Sequence, residues 1–267
     1  MKNKKINVRD FAVLRENGEK IVALTAYDAP TGRLAEEAGV HIVLVGDSLG
    51  MTVLGYKNTI PVTVDESLHH CKAVMRGVNN AFVIGDMPFM SYHLSIETAM
   101  KNAARYLQEG MVDAVKLEGG ASIAPTVNAL VNAGVPVLGH IGLLPQKVLT
   151  AGGYKITGRT EDEVQRLIED ALALQEAGAF AIVLEGIPEG SARRITEALE
   201  ISTIGIGAGK YCSGQIQVIN DVLGLFSDFV PKHAKKYADL NIIIQKALKE
   251  YVSDVSSVSF PTKEHSF

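Results

Sequence analysis

The sequence predicts an α/β fold, a single-domain (β/α)8 TIM barrel over residues 1–267. Three observations carry that expectation. Short Val/Ile/Leu runs alternate with helical stretches, as parallel strands covered on both faces require. A helical stretch closing on a glycine, followed within a few residues by such a run, recurs along the chain. The number of strand–helix units, seven or eight, favours closure into a barrel over an open sheet.

In order, a leading helix is expected over 7–17, then the strand Lys20-Ile-Val-Ala-Leu-Thr-Ala-Tyr-Asp28. The glycine-then-strand pattern follows in Glu37-Ala-Gly39 to Asp47, Gln108-Glu-Gly110 to Glu118, Asn132-Ala-Gly134 to His140 and Glu176-Ala-Gly178 to Glu185. Gly39, Gly110, Gly134 and Gly178 suit the left-handed residue that ends a helix. Phe82-Val-Ile-Gly-Asp86 and Ser202-Thr-Ile-Gly-Ile-Gly-Ala-Gly209 supply two more strands, and Phe229-Val-Pro-Lys-His233 is the candidate for the eighth. Thr63-Val-Asp-Glu66 and Thr160-Glu-Asp-Glu163 read as capping boxes, and Ser95 caps a helix over 96–109. A closing helix over 240–252 and a polar tail from Ser253 complete the chain.

Composition narrows the function. With 47% apolar and 21% charged residues, the chain can bury a large core. A net charge of −4 and the absence of basic runs argue against a nucleic-acid partner. No stretch reaches the ~18–20 apolar residues of a membrane span. The basic start leads into Asn7-Val-Arg-Asp-Phe, not into a secretory core. Two distant cysteines, Cys71 and Cys212, give no disulfide framework, so a reduced, cytoplasmic enzyme is expected.

In a parallel barrel the strands' C-terminal ends share one mouth, where catalytic groups gather. Those ends read Asp47-Ser48, Asp86, Lys116 with Glu118, His140 and Glu185. Asp47 is not expected to cap a helix, since the next one is read as starting near Thr63. Burying several carboxylates in one mouth is costly unless a cation or bases balance them, and the constellation implies a metal. All-oxygen ligation points to a hard divalent ion, with Mg2+ the default and zinc the runner-up. Asp47 and Asp86 are the expected ligands, with Glu118 bound directly or through water. Lys116 and Glu118, two apart, project to one face; they form either an internal ion pair or a contact to a substrate carboxylate. His140 is either a satisfied core histidine or a site residue. Glu185 follows an apolar run with no base nearby in sequence, a setting that raises a carboxyl's pKa and suits a general base. Gly205-Ile-Gly-Ala-Gly209 is either an anion-cradling loop or tight packing at the rim.

At this point the motifs resemble a known family. Val45-Gly-Asp-Ser-Leu-Gly-Met51, Gly85-Asp-Met-Pro-Phe-Met-Ser-Tyr92, Val115-Lys-Leu-Glu-Gly-Gly120, Gly139-His-Ile-Gly-Leu143, Pro145-Gln146 and Gly152-Gly-Tyr-Lys155 look like the 3-methyl-2-oxobutanoate (ketopantoate) hydroxymethyltransferases. The likeness runs from about Val8 to Val252. It implies a magnesium-dependent barrel of the phosphoenolpyruvate/pyruvate type, cytoplasmic and assembled as a homodecamer. The implied reaction carries a one-carbon unit from 5,10-methylenetetrahydrofolate to 3-methyl-2-oxobutanoate, giving 2-dehydropantoate for pantothenate biosynthesis. By the same resemblance Asp47, Asp86 and Glu118 match the metal site, Ser48, Lys116 and His140 the keto-acid contacts, and Glu185 the base. Lys57, Ser202 and Ser213 depart from the family's usual residues, and Ser213 is the departure expected to bear on rim contacts or folate affinity. The alternatives are a related 2-oxo-acid lyase or mutase and a barrel that binds a keto acid without turning it over.

Overall fold

The computed structural model describes residues 4–225 and 231–267. The strands are β1 Ile21–Thr25, β2 Ile42–Val45, β3 Phe82–Asp86, β4 Ala114–Glu118, β5 Val137–Gly142, β6 Ala181–Glu185, β7 Ser202–Ile206 and β8 Gly214–Gln217. They close into a parallel barrel in chain order, β8 pairing with β1. The chain divides into two compact units, Met1–Gln217 and Val218–Phe267, and every strand lies in the first.

Seven strands fall where the apolar runs placed them. The eighth does not. Phe229 and Val230 lie outside the described residues, and Pro231 to His233 form no strand. The strand that closes the barrel is Gly-Gln-Ile-Gln, whose residues alternate between buried and at least partly exposed. Such a half-exposed strand lacks the continuous apolar run that marked its neighbours.

The helices begin as their caps dictate. Thr63 and Thr160 each accept from a glutamate N–H three residues on, and that glutamate's side chain returns to the cap, closing both boxes. Ser95 caps Ile96–Gln108. Gly39, Gly134 and Gly178 adopt the left-handed backbone, but Gly110 does not; Met111 beside it takes φ 57° instead. A Cβ on Gly110 would come within 2.6 Å of the Tyr106 carbonyl oxygen, so close approach is what demands glycine there. The closing helix runs Leu240–Ser256, beyond the expected end, and a short 3-10 turn, Lys263–His265, lies in what was read as tail.

The leading helix Val8–Glu16 stoppers the barrel. Its Phe11 is buried against Phe82 and Phe180, with ring centroids 5.2 and 5.6 Å away. Above it, Ile21, Ala23, Ile42, Leu44, Phe82, Ile84, Ala114, Leu138, Ala181, Val183, Ile204, Ile206 and Ile216 fill the interior. No helix among the described residues is long and apolar enough to cross a membrane.

Candidate active site

Interior positions recur at every second residue of a strand. Phe82 and Ile84, Ala114, Leu138, and Ala181 and Val183 belong to the apolar core. Counting onward by two toward the C-terminal ends reaches Asp86, Lys116 and Glu118, His140, and Glu185. The barrel's top layer is therefore charged and rests on an apolar base. Register sets the neighbours, placing Asp86 beside Lys116 and Glu118 beside His140. Asp47 joins from just past β2, its backbone N–H donating to Asp86 Oδ2 at 3.0 Å.

Asp47, Asp86, Lys116, Glu118 and His140 are all buried. Lys116 Nζ donates to both Asp86 oxygens, at 2.7 and 2.9 Å, and lies 3.3 Å from Glu118 Oε1. The internal ion pair is thus present, and the ammonium is already committed to two carboxylates. Burial pushes the Asp47 carboxyl well above its ordinary value, with the like charges of Asp86 and Glu118 adding to it. Burial also raises Asp86, against the pull of Lys116. Burial would raise Glu118 as well, but Lys116 and His140 outweigh it and hold that carboxyl low. Burial would lower Lys116, yet Asp86, Glu118 and Asp47 keep it well above the usual ammonium range.

His140 stands between two acids, Nδ1 3.4 Å from Glu118 Oε1 and Nε2 3.3 Å from Glu185 Oε2. Both are charge-pair distances without hydrogen-bond alignment. Burial and Lys116 push the imidazole down, but the two carboxylates prevail and hold it at about 9. Glu185 was expected in an apolar setting with no base nearby, and that premise does not hold. It faces His140, and its side chain is 20% exposed at the mouth. Ser48 Oγ meets the Tyr27 hydroxyl at 2.8 Å. A short helix, Leu49–Thr52, begins directly after Ser48, earlier than the sequence suggested. Asp47 still does not cap it; its Oδ2 accepts from Gln146.

Gln146 and Tyr92 are the residues that reasoning from strand ends missed. Gln146 follows β5 in a 3-10 turn, and Tyr92 lies in the loop after β3. Both are buried in the mouth and bonded to its acids. The one signal for them was their place in the Gly85–Tyr92 and Pro145-Gln146 motifs. Ser213, by contrast, lies at the N-terminal end of β8, away from the mouth, exchanging hydrogen bonds with Thr203 at 3.2 Å. It is not a rim contact. At Gly209 a Cβ would come within 2.4 Å of Glu189, which favours tight packing for that glycine loop.

Among the described residues, no three His, Cys, Asp or Glu side chains form a ready cage for a metal. The donor chemistry nevertheless suits a hard cation that needs only one or two carboxylates. Three buried acids face Lys116 and the protonated His140, so the acids still outnumber the cations, and Asp47 Oδ1 accepts no hydrogen bond among the described residues. That uncompensated charge is the opening for a divalent ion.

Comparison with known proteins decides the family. A profile of the ketopantoate hydroxymethyltransferases matches residues 5–263. The chain belongs to the ketopantoate hydroxymethyltransferase family. Relatives named 3-methyl-2-oxobutanoate hydroxymethyltransferase include one from Heliobacterium modesticaldum, 54% identical over 99% of this chain and 96% of its own length. Another, from Clostridium kluyveri, is 55% identical over 98% and 94%. Among solved structures, a 2,3-dimethylmalate lyase of the PEP mutase/isocitrate lyase superfamily superposes with a TM-score of 0.60 at 18% identity, covering 96% of this chain and 90% of that one. A phosphoenolpyruvate phosphomutase from Streptomyces platensis gives 0.61 at 15%, covering 94% and 88%. These two show that the ketopantoate hydroxymethyltransferase chain shares their TIM-barrel fold.

Proposed function

We propose that this chain is a cytoplasmic hydroxymethyltransferase acting on 3-methyl-2-oxobutanoate, with 5,10-methylenetetrahydrofolate as one-carbon donor and 2-dehydropantoate as product, on the route to pantothenate. Family membership supports the keto acid and the product. The observation that carries the mechanism is the division of the mouth into two parts. Asp47, Asp86 and Glu118 are buried around Lys116, whereas Glu185 stands partly exposed across His140.

A divalent cation, Mg2+, held by Asp47 and Asp86 with Glu118 beside it, would supply Lewis-acid stabilisation to the negative charge that develops on the 2-oxo acid. The residues do the rest. The Ser48 backbone N–H holds the substrate carboxylate, joined by Lys116 as it gives up its 3.3 Å contact to Glu118. Glu185, the acid open to the mouth, takes the C3 proton. The freed electron pair forms a bond from C3 to the donor's methylene carbon as one of that carbon's two bonds to nitrogen breaks. A water supplies the hydroxyl as the second carbon–nitrogen bond breaks, and both freed nitrogens take up protons, giving tetrahydrofolate. His140, protonated near neutrality, faces Glu118 through Nδ1 and Glu185 through Nε2 and holds the two carboxylates in place.

The test is proton exchange. In deuterated water with Mg2+, the protein should exchange the C3 proton of 3-methyl-2-oxobutanoate without folate, and form product once methylenetetrahydrofolate is added, both followed by NMR. No exchange with any divalent metal would sink the reading. Glu185→Gln should still bind the keto acid but exchange at least ~100-fold more slowly, the usual scale of a lost general base. Undiminished exchange in that variant would assign the base elsewhere.

A homodecameric assembly belongs to the same reading. Its support is the helix Leu240–Ser256, on which Ile244, Leu248, Tyr251 and Val255 are all exposed at spacings of one helical face.

A further inference from the structure

Two acids of the mouth, Asp47 and Glu118, converge on one neutral residue. Gln146 Nε2 donates to Asp47 Oδ2 at 3.0 Å and to the Met87 carbonyl at 3.0 Å. Its backbone N–H donates to Glu118 Oε2 at 3.1 Å. Its Oε1 accepts from the Tyr92 hydroxyl at 2.9 Å. A single buried residue after β5 therefore ties together the ends of β2, β3 and β4.

The amide can face only one way. Both neighbours of Nε2 are pure acceptors, so a flipped amide would set oxygen against oxygen twice. Tyr92 supports the same orientation: its hydroxyl takes the Glu118 N–H at 3.0 Å and shares its own proton between Gln146 Oε1 at 2.9 Å and the Glu118 carbonyl at 3.1 Å. The chemical type matters as much as the direction. An ammonium here would add a further positive charge to those of Lys116 and His140 and cancel the excess of carboxylate. An amide gives its N–H groups at no charge. With Oδ2 held, Asp47 is left with Oδ1 as its open oxygen.

We propose that Gln146, locked by Tyr92, is a positioning residue of this site: it fixes the Asp47 and Glu118 carboxylates against their mutual repulsion while leaving their charge undiminished. The kinetic consequence rests on the transferase reading; the positioning itself does not.

Gln146→Met keeps the length and removes the side-chain donors, leaving the backbone N–H to Glu118 in place. Titrated by calorimetry with Mn2+ alone, the variant should bind about 10- to 100-fold more weakly than the parent, the range typical of residues that orient metal ligands. C3 exchange should slow in the same direction. In a crystal structure of the variant, the Asp47 carboxylate should turn from its parent position while Asp86 and Lys116 stay paired. Tyr92→Phe, a smaller change should the first variant fail to fold, should show a lesser loss of the same kind. Unchanged Mn2+ affinity and exchange, or a variant crystal structure with Asp47 unmoved, would overturn the role. If the parent itself neither binds Mn2+ nor exchanges C3, the transferase reading fails, and the variant's crystal structure still decides for or against Gln146.

Discussion

Lys116 carries a charge where water does not reach it, and its neighbours explain how. Two Asp86 oxygens at 2.7 and 2.9 Å and one Glu118 oxygen at 3.3 Å surround the ammonium. A pair of this kind adds little to stability compared with an apolar pair of similar volume, but breaking it strands a buried charge. Lys116→Met should therefore cost about 3–5 kcal/mol in urea unfolding, because it strands the buried Asp86 and Glu118 carboxylates. Adding Asp86→Ala to that variant should restore part of the loss, since one buried carboxylate fewer is then left without its cation. If the double variant is as unstable as the single one, the cost comes from packing around Lys116 and not from the charge. The same reasoning accounts for the site's reach beyond stability: a cluster this expensive to bury persists because the mouth needs its charge.

At the scale of elements, side chains anchor helices to the loops that start strands. Glu36, near the end of the helix Ala29–Glu37, accepts the backbone N–H groups of Asn79, Asn80 and Ala81 ahead of β3. Burial alone would raise its carboxyl, but these three donors and Lys5 lower it. The stability it adds is present above about pH 4.3, the ordinary glutamate value, and drains away as pH falls through the lowered one. Glu36→Gln should lose about 1–3 kcal/mol at neutral pH and show a shallower acid limb in melting temperature against pH. A limb unchanged from the parent would remove Glu36 as its source. Elements differ in how far the sequence discloses them. The strands buried on both faces were legible because burial writes itself as continuous Val, Ile and Leu, and the capped helices because Thr63, Ser95 and Thr160 announce their starts. β8 was not, since half of it is open and Gly214-Gln-Ile-Gln217 reads as loop. The strand-end acids stood out because charge at the end of an apolar run is costly. Gln146 escaped notice for the opposite reason: a glutamine in a turn costs nothing until the fold buries it among acids.

For the whole molecule, the division of labour runs along the chain. Asp47, Ser48, Asp86, Lys116, Glu118, His140, Gln146 and Glu185 all lie in the unit Met1–Gln217. The unit Val218–Phe267 contributes none of them. It carries instead the helix Leu240–Ser256, which has no buried residue and an apolar stripe of Ile244, Leu248, Tyr251 and Val255. A stripe at these spacings is costly to leave in water, and the proposed assembly of identical chains would cover it. Leu248→Asp places a charge in the middle of that stripe. By sedimentation velocity the parent should run as a homodecamer and the variant as smaller species. Because the site residues come from the other unit, the variant should keep the parent's C3 exchange per protomer. A parent that sediments as a monomer removes the assembly from the reading, and a variant that dissociates and also loses exchange shows that the mouth depends on a neighbouring copy.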